Sequence, residues 1–477
     1  MRGRVGPRIA ILLVSLSRAR LLRVGLLLVG LLLGACAPSS SDRSAWPPLA
    51  REPGASGVPE QAEEPDETEA TSLAGRHPTP IEQGAIDRLA IDISRARGLP
   101  LRRRVRAEIL SASQIAALLE GQFDEARLRD SRRLYVTLGL LDASVDLRPL
   151  LRSVLGEQVL GYYDTDAGHL VLREDVARDL GRIGPRSAHE GRLILVHELI
   201  HALQDQQLGL GTATRQRRDT DAENAFRAVV EGDATLGMLD HMLSERGLEL
   251  DEFNQRPGGI GRLLEGIDAG PSIGALADAP AIVRHTLLAP YARGVIFAAA
   301  LHARGGWPAI DSAHARPPTS TEQVLHPEKY LARELADPIS LPAFAHLEAE
   351  GWRPAGEDSL GELEMAVYLG IGSESGADWG AAEGWSGDRL RLYEPEVAGA
   401  SDPPRAKLVW FSAWDDLAEA AEAETAARRV VGTEGLGAGP HWVERRGRGL
   451  LILRWVEPSL RPPIREAFAR FALGLMP

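Results

Sequence analysis

The chain has 477 residues, 44% of them hydrophobic and 25% charged, with a formal net charge of −13 and one cysteine. That length and apolar content suffice for two domains with proper cores. The acidic balance argues against a nucleic-acid partner, and a lone cysteine excludes an internal disulfide framework.

Residues 1–35 carry Arg2, Arg4, Arg8, Arg18, Arg20 and Arg23 and no acid, followed by the apolar run Val24 to Leu33. The run is short for a membrane span and fits the h-region of a signal peptide. Leu33-Gly34-Ala35-Cys36 then looks like a bacterial lipobox, with Cys36 lipidated as the mature N-terminus. Ala37 after it points to the outer membrane, facing periplasm or exterior. Loss of the six arginines takes the net charge from −13 to −19, so the lipid rather than basic charge is the expected membrane anchor. No second hydrophobic stretch is expected to span a membrane. Residues 36–80 are rich in Pro, Ser, Glu and Gly, with an acidic run from Glu60 to Glu69, and read as a disordered tether.

The folded part is expected to be α+β, with a mainly helical domain over 81–350 and a smaller α+β domain over 351–477. Ile81 to Arg97 reads as a helix, and Ala107 to Val154 as further helices interrupted near Gly121, Gly139 and Pro149. Val159 to Tyr163 and His169 to Leu172 flank Asp164-Thr165-Asp166-Ala167-Gly168, a β-hairpin signal with Gly168 suited to positive φ.

The most informative stretch follows. His197-Glu198-Leu199-Ile200-His201 is H-E-x-x-H within an apolar run. On a helix, positions four apart share a face, so both imidazoles can close on one Zn²⁺ while Glu198 handles a metal-bound water. Ser187-Ala188-His189-Glu190 is a capping box for the start of that helix, and Gly209 a stop. A second capping box, Thr220 with Glu223, opens the next helix. Two turns on, Glu231 shares a face with Ala228, Ala234, Thr235 and Met238. A carboxylate in such company is costly unless paired or metal-bound, which makes Glu231 the expected third ligand and Asp233 the weaker alternative.

Asp251 to Ala277 is Gly-rich, broken by Pro257 and Pro271, and reads as a loop. Helices are expected from Ala279 to Arg304, ended by Gly305-Gly306-Trp307-Pro308. In the last third, Leu408 to Phe411 is strand-like, Asp415 to Arg429 is an Ala/Glu-rich helix, and His441 to Val443 with Leu450 to Leu453 form a second hairpin. Ile464 to Leu475 is the last helix. This region shows no catalytic cluster.

H-E-x-x-H with a downstream helical Glu resembles the gluzincin branch of zinc metallopeptidases, the thermolysin-like group. More closely, Val196 to Gln207 (VHELIHALQDQQ), Val230 to Thr235 (VEGDAT), Ser320 to Leu331 (STEQVLHPEKYL) and Ala382 to Arg389 (AEGWSGDR) resemble a group of bacterial lipoproteins with a zincin-type site. The spacing from His201 to Glu231 is longer than in thermolysin. The resemblance implies a zincin-like domain and peptide-bond hydrolysis at the cell envelope, with a peptide or protein as substrate. It implies ligation by His197, His201 and Glu231, proton transfer by Glu198, and an oxyanion-stabilising Tyr or His, for which Tyr291 and His326 are the candidates. Asp205, four residues after the second His, is expected to orient a ligand imidazole. The hairpin before the metal helix would hold extended substrate by main-chain hydrogen bonds. The rival reading is a non-catalytic envelope lipoprotein that uses the same scaffold for binding; a lesser one is hydrolysis of a peptidoglycan amide. Sequence does not decide the oligomeric state.

Overall fold

The computed structural model describes residues 75–180, 189–210, 219–254, 260, 274–396, 406–432 and 439–475. The signal peptide, Cys36, the tether up to residue 74, Ser187 and Ala188 of the first capping box, and most of the expected 251–277 loop lie outside them. The fold is mixed α+β, with two sheets among many helices.

Helix α1 (Pro80–Arg97) begins as its sequence dictates. Thr79 accepts from the Glu82 amide, Glu82 reaches back to Thr79, Pro80 occupies the first turn, and Gly98 at φ 78° ends it. Strand β1 (Ala107–Leu110) replaces the expected helix there. It pairs in parallel with β3 across Ala107↔Leu170 and Leu110↔Arg173, so a partner some 60 positions away overrides an ambiguous short apolar run. Helices α2 (Ala112–Gly121), α3 (Glu125–Leu138) and α4 (Leu147–Gln158) follow, capped by Ser111, Asp124 and Asp146. Pro149 does not interrupt a helix; it lies in the first turn of α4, where its missing N–H is no loss. The hairpin forms as expected. β2 (Gly161–Asp164) and β3 (His169–Arg173) pair antiparallel around Gly168 at φ 65°, giving a three-stranded sheet in the order β1-β3-β2.

After α5 (Glu174–Leu180), α6 (His189–Leu208) carries H-E-x-x-H, and Gly209 at φ 63° closes it. α7 (Thr220–Ser244) carries Glu231. Its cap is Asp219, whose carboxylate accepts from the Ala222 amide, and not Thr220. The Thr220 hydroxyl instead donates to Asp358 at 2.6 Å, and Glu223 pairs with Arg127 at 2.7 Å. α8 (Leu250–Asn254) puts a short helix at the start of the expected loop. α9 (Ala281–Ala315) runs past the expected stop, with the break confined to Gly305 and Gly306. By length and composition α9 qualifies as a membrane span, contrary to the sequence expectation, yet 67% of its most apolar window is buried inside the protein. It is a core helix packed on α7.

Short helices α10 (Thr321–Leu325), α11 (Pro327–Ala332) and α12 (Ala345–Ala349) lead to the second sheet. Its elements are β4 (Trp352–Asp358), α13 (Gly361–Leu369), α14 (Trp379–Ala382), β5 (Trp385–Pro395), β6 (Lys407–Trp414), α15 (Leu417–Gly432), β7 (Trp442–Arg446), β8 (Gly449–Arg454) and α16 (Arg461–Gly474). The five strands are antiparallel in the order β4-β5-β6-β8-β7. Alternation splits the two central strands by face. Val409, Phe411, Leu451 and Leu453 pack on Ile464 and Phe468 of α16, whereas Trp410 and Ile452 join the large core shared with α1, α6, α7 and α9. The second sheet is therefore built into the first core.

Candidate metal centre

The two helices expected to carry the site lie side by side. His197 Nε2 is 3.2 Å and His201 Nε2 3.4 Å from the same oxygen, Glu231 Oε2. His197, Glu198 and Glu231 are 0% exposed and His201 1%. Helical spacing explains the first pairing: residues i and i+4 of α6 put both rings on one face, with centroids 4.6 Å apart.

Glu198 lies beside them and is held by the first sheet. Its Oε2 accepts from the Tyr163 amide of β2 at 2.8 Å. Tyr291 of α9 stands over the other side, its ring centroid 6.3 Å from that of His197. Its hydroxyl, Nδ1 of His197, Nε2 of His201, Oε1 of Glu198 and Oε1 of Glu231 are all buried without a well-formed hydrogen bond. Orphaned polar atoms in one buried place are expensive. Two imidazoles and a carboxylate are also the donor set of a catalytic zinc site with a position left over. The residues fit zinc.

Burial and mutual proximity shift every one of these groups. Burial pushes the Glu198 carboxyl up to about 8. Burial likewise lowers His197 to about 4, only partly offset by Glu231. For His201, burial is outweighed by Glu231 and Glu198, which raise it to about 9. The Glu231 carboxyl also resists burial, because His201 and His197 hold it down to about 2. Tyr291 is pushed well above the usual tyrosine range by burial and by the neighbouring Glu231, so its hydroxyl stays protonated and able to donate.

The remaining sequence candidates fall elsewhere. His326 is engaged by Glu362 at 2.9 Å and is not among the groups gathered here. Asp205 touches neither imidazole; it accepts from the Tyr163 hydroxyl at 2.9 Å and faces Arg103 at 3.8 Å. Its place beside His201 is taken by Gln204, whose Oε1 is 2.8 Å from His201 Nδ1. Asp233 is not with the ligands. Arg97 binds it at 2.6 and 3.0 Å and His314 at 2.9 Å. Sequence reasoning passed over Gln204, Tyr163, Arg97 and His314. Gln204 had a usable signal, three positions after His201 on the same helix face. Arg97 had none, because its partner lies 136 positions away.

A second acidic group, Glu322, Glu334 and Asp415, is gathered among the described residues. Lys329 already sits among them, at 2.6, 3.2 and 2.6 Å respectively, so an ammonium supplies the positive charge there.

A family described as "Domain of unknown function (DUF8575)" matches residues 350–456, from just before β4 to just after β8. No curated protein and no solved structure matches the chain.

Proposed function

We propose that the protein is a zinc-dependent, gluzincin-like peptidase held at the cell envelope by a lipid on Cys36. The observation that carries this reading is the convergence of His197, His201 and Glu231 within 3.2 to 3.4 Å, with the Glu198 carboxylate alongside. Zinc held by these three would supply Lewis acidity toward a scissile carbonyl and toward water.

The chain's own groups supply the rest. The Tyr163 amide fixes one oxygen of Glu198 and leaves Oε1 to take a proton from the attacking water. That carboxyl, raised by burial, is placed to accept the proton and return it to the leaving amine, and zinc held beside it would draw it down into the ionised form that the first step needs. The Tyr291 hydroxyl, buried and kept protonated, is the donor for the developing oxyanion. β2 is an edge strand of the first sheet among the described residues. Leu160 O accepts from Arg173 and Tyr162 faces Val171, so Gly161 turns both main-chain groups and Tyr163 its carbonyl away from β3, toward where extended substrate would add as a strand, while the Tyr163 amide is already taken by Glu198. Lipid attachment rests on the lipobox and the charge pattern alone.

One observation favours the rival reading of a non-catalytic binding protein. All four central side chains are at most 1% exposed, so substrate would need the site to open. Zinc quantification on the mature protein, paired with digestion of a broad peptide library by wild type and E198Q, separates the readings. The peptidase reading expects about one zinc in both proteins and cleavage by wild type alone. Zinc without cleavage leaves the binding scaffold, and wild type without zinc overturns the peptidase reading and leaves a metal-free scaffold.

A further inference from the structure

Gln204 Nε2 donates to two groups that only accept, the Val230 carbonyl at 3.1 Å and the Asp233 carboxylate at 2.8 Å. The Arg97 guanidinium grips both oxygens of Asp233 at 2.6 and 3.0 Å and His314 Nε2 lies 2.9 Å away, so Asp233 faces Gln204 as a carboxylate that can only accept. Two acceptors on one side leave the amide a single sensible orientation. Its oxygen must face His201, 2.8 Å from Nδ1. An oxygen there requires a proton on Nδ1. The lone pair of the neutral ring then lies on Nε2, the atom turned toward Glu231.

We propose that Gln204 is a positioning residue that locks His201 into the tautomer able to bind metal through Nε2, with Asp233 and Arg97 setting the direction of the Gln204 amide. The inference rests on the zinc reading above and adds the device that prepares one ligand. The relay joins three helices. Arg97 closes α1, Gln204 lies on α6 and Asp233 on α7, and Arg97 also binds Asp311 of α9 at 2.7 Å while stacking on Trp307 at 4.6 Å. All of Arg97, Gln204 and Asp233 are at most 1% exposed. His197 has no such clamp, since its Nδ1 lacks a partner among the described residues. The two ligand imidazoles are therefore unequal: one is pre-set by a hydrogen-bond chain and the other is held by helix geometry and packing.

The first test needs no substitution. In zinc-loaded, ¹⁵N-labelled wild type, His201 should show an exchange-protected proton on Nδ1 and metal on Nε2. Ligation through Nδ1, or no protected proton there, overturns the proposal. The second compares Q204L and Q204E with wild type. Zinc affinity, measured by competition with a chromogenic chelator, should fall roughly 10- to 100-fold in Q204L, the range for loss of a ligand-orienting partner. Q204E keeps an acceptor for His201 but sets an oxygen against Val230 and Asp233, and should fall between the two. The visible spectrum of the cobalt-substituted proteins should change in the same order. Q204L that folds and binds zinc as tightly as wild type refutes the relay while leaving the zinc reading intact. Wild type without zinc removes both.

Discussion

Gly232 of α7 and Gly294 of α9 are in backbone contact. A Cβ added to Gly232 would lie 2.1 Å from the Gly294 carbonyl oxygen, and one added to Gly294 would lie 2.2 Å from Ala228 O. Only glycine lets two helices approach this closely. The crossing lies one residue after Glu231 and three residues after Tyr291, so it decides whether these two side chains meet.

G232A and G294A should each therefore act on stability and site together. Overpacking a core usually costs about 1–3 kcal/mol, and a clash with main chain leaves no flexible side chain to give way. Urea unfolding should show a loss at or above the top of that range, and zinc retention should drop with it. A G294A protein as stable and as zinc-replete as wild type would mean that the helices are not in contact.

Y291F should separate hydroxyl chemistry from structure. Its hydroxyl has no well-formed hydrogen bond to lose and only a weaker contact with Glu231, so stability and zinc content should change little. Peptide cleavage should lose roughly 10²- to 10³-fold in kcat, the usual effect of removing one oxyanion donor, with KM little altered. Unchanged kcat would remove Tyr291 from the reaction.

Zinc uptake should release a proton. His201 is raised to about 9 and His197 lowered to about 4. Between these limits one imidazole holds a proton that the metal must displace, and the other does not. Apparent affinity should tighten as pH climbs toward 9, with at least one proton released per zinc near neutrality. Calorimetric titration in buffers of different ionisation enthalpy measures this number directly, and a value of zero rejects the protonated pair.

Glu364 of α13 should make stability pH-dependent. Burial, with help from Asp358 and Asp388, raises its carboxyl to about 8 against hydrogen bonds from Tyr135 and Asn224. The folded state thus binds the proton more tightly than the unfolded chain. This contribution is complete below the ordinary carboxyl value of 4.5 and is lost as pH rises toward 8. E364Q keeps an oxygen for Tyr135 and Asn224, which both donate to Oε1, and cannot ionise. Its melting temperature relative to wild type should rise from pH 5 to pH 8; a constant difference across that range would show that Glu364 does not titrate there.

Local chemistry made part of this architecture readable in the sequence. Gly168 and the flanking β-branched and aromatic runs announce the β2–β3 hairpin, and the apolar company of Glu231 brings it beside the two histidines. What escaped is long-range. β1 is four residues that become a strand only against β3. Thr220 looks like a helix cap until Asp358, 138 positions on, takes its hydroxyl. Asp205 has the better chemistry for gripping an imidazole, but Tyr163 from the hairpin claims it and leaves the task to Gln204. In each case the competitor comes from an element whose nearness only tertiary packing creates.

Strands β6 and β8 of the second sheet have no face to spare for water. They put Val409 and Phe411 against α16, beyond the end of the 350–456 match, and Trp410 and Ile452 into the core around α6 and α7. A segment with both flanks committed is a poor portable cassette. Cut out alone it would present two greasy walls, and grafted elsewhere it would demand the surfaces it left behind.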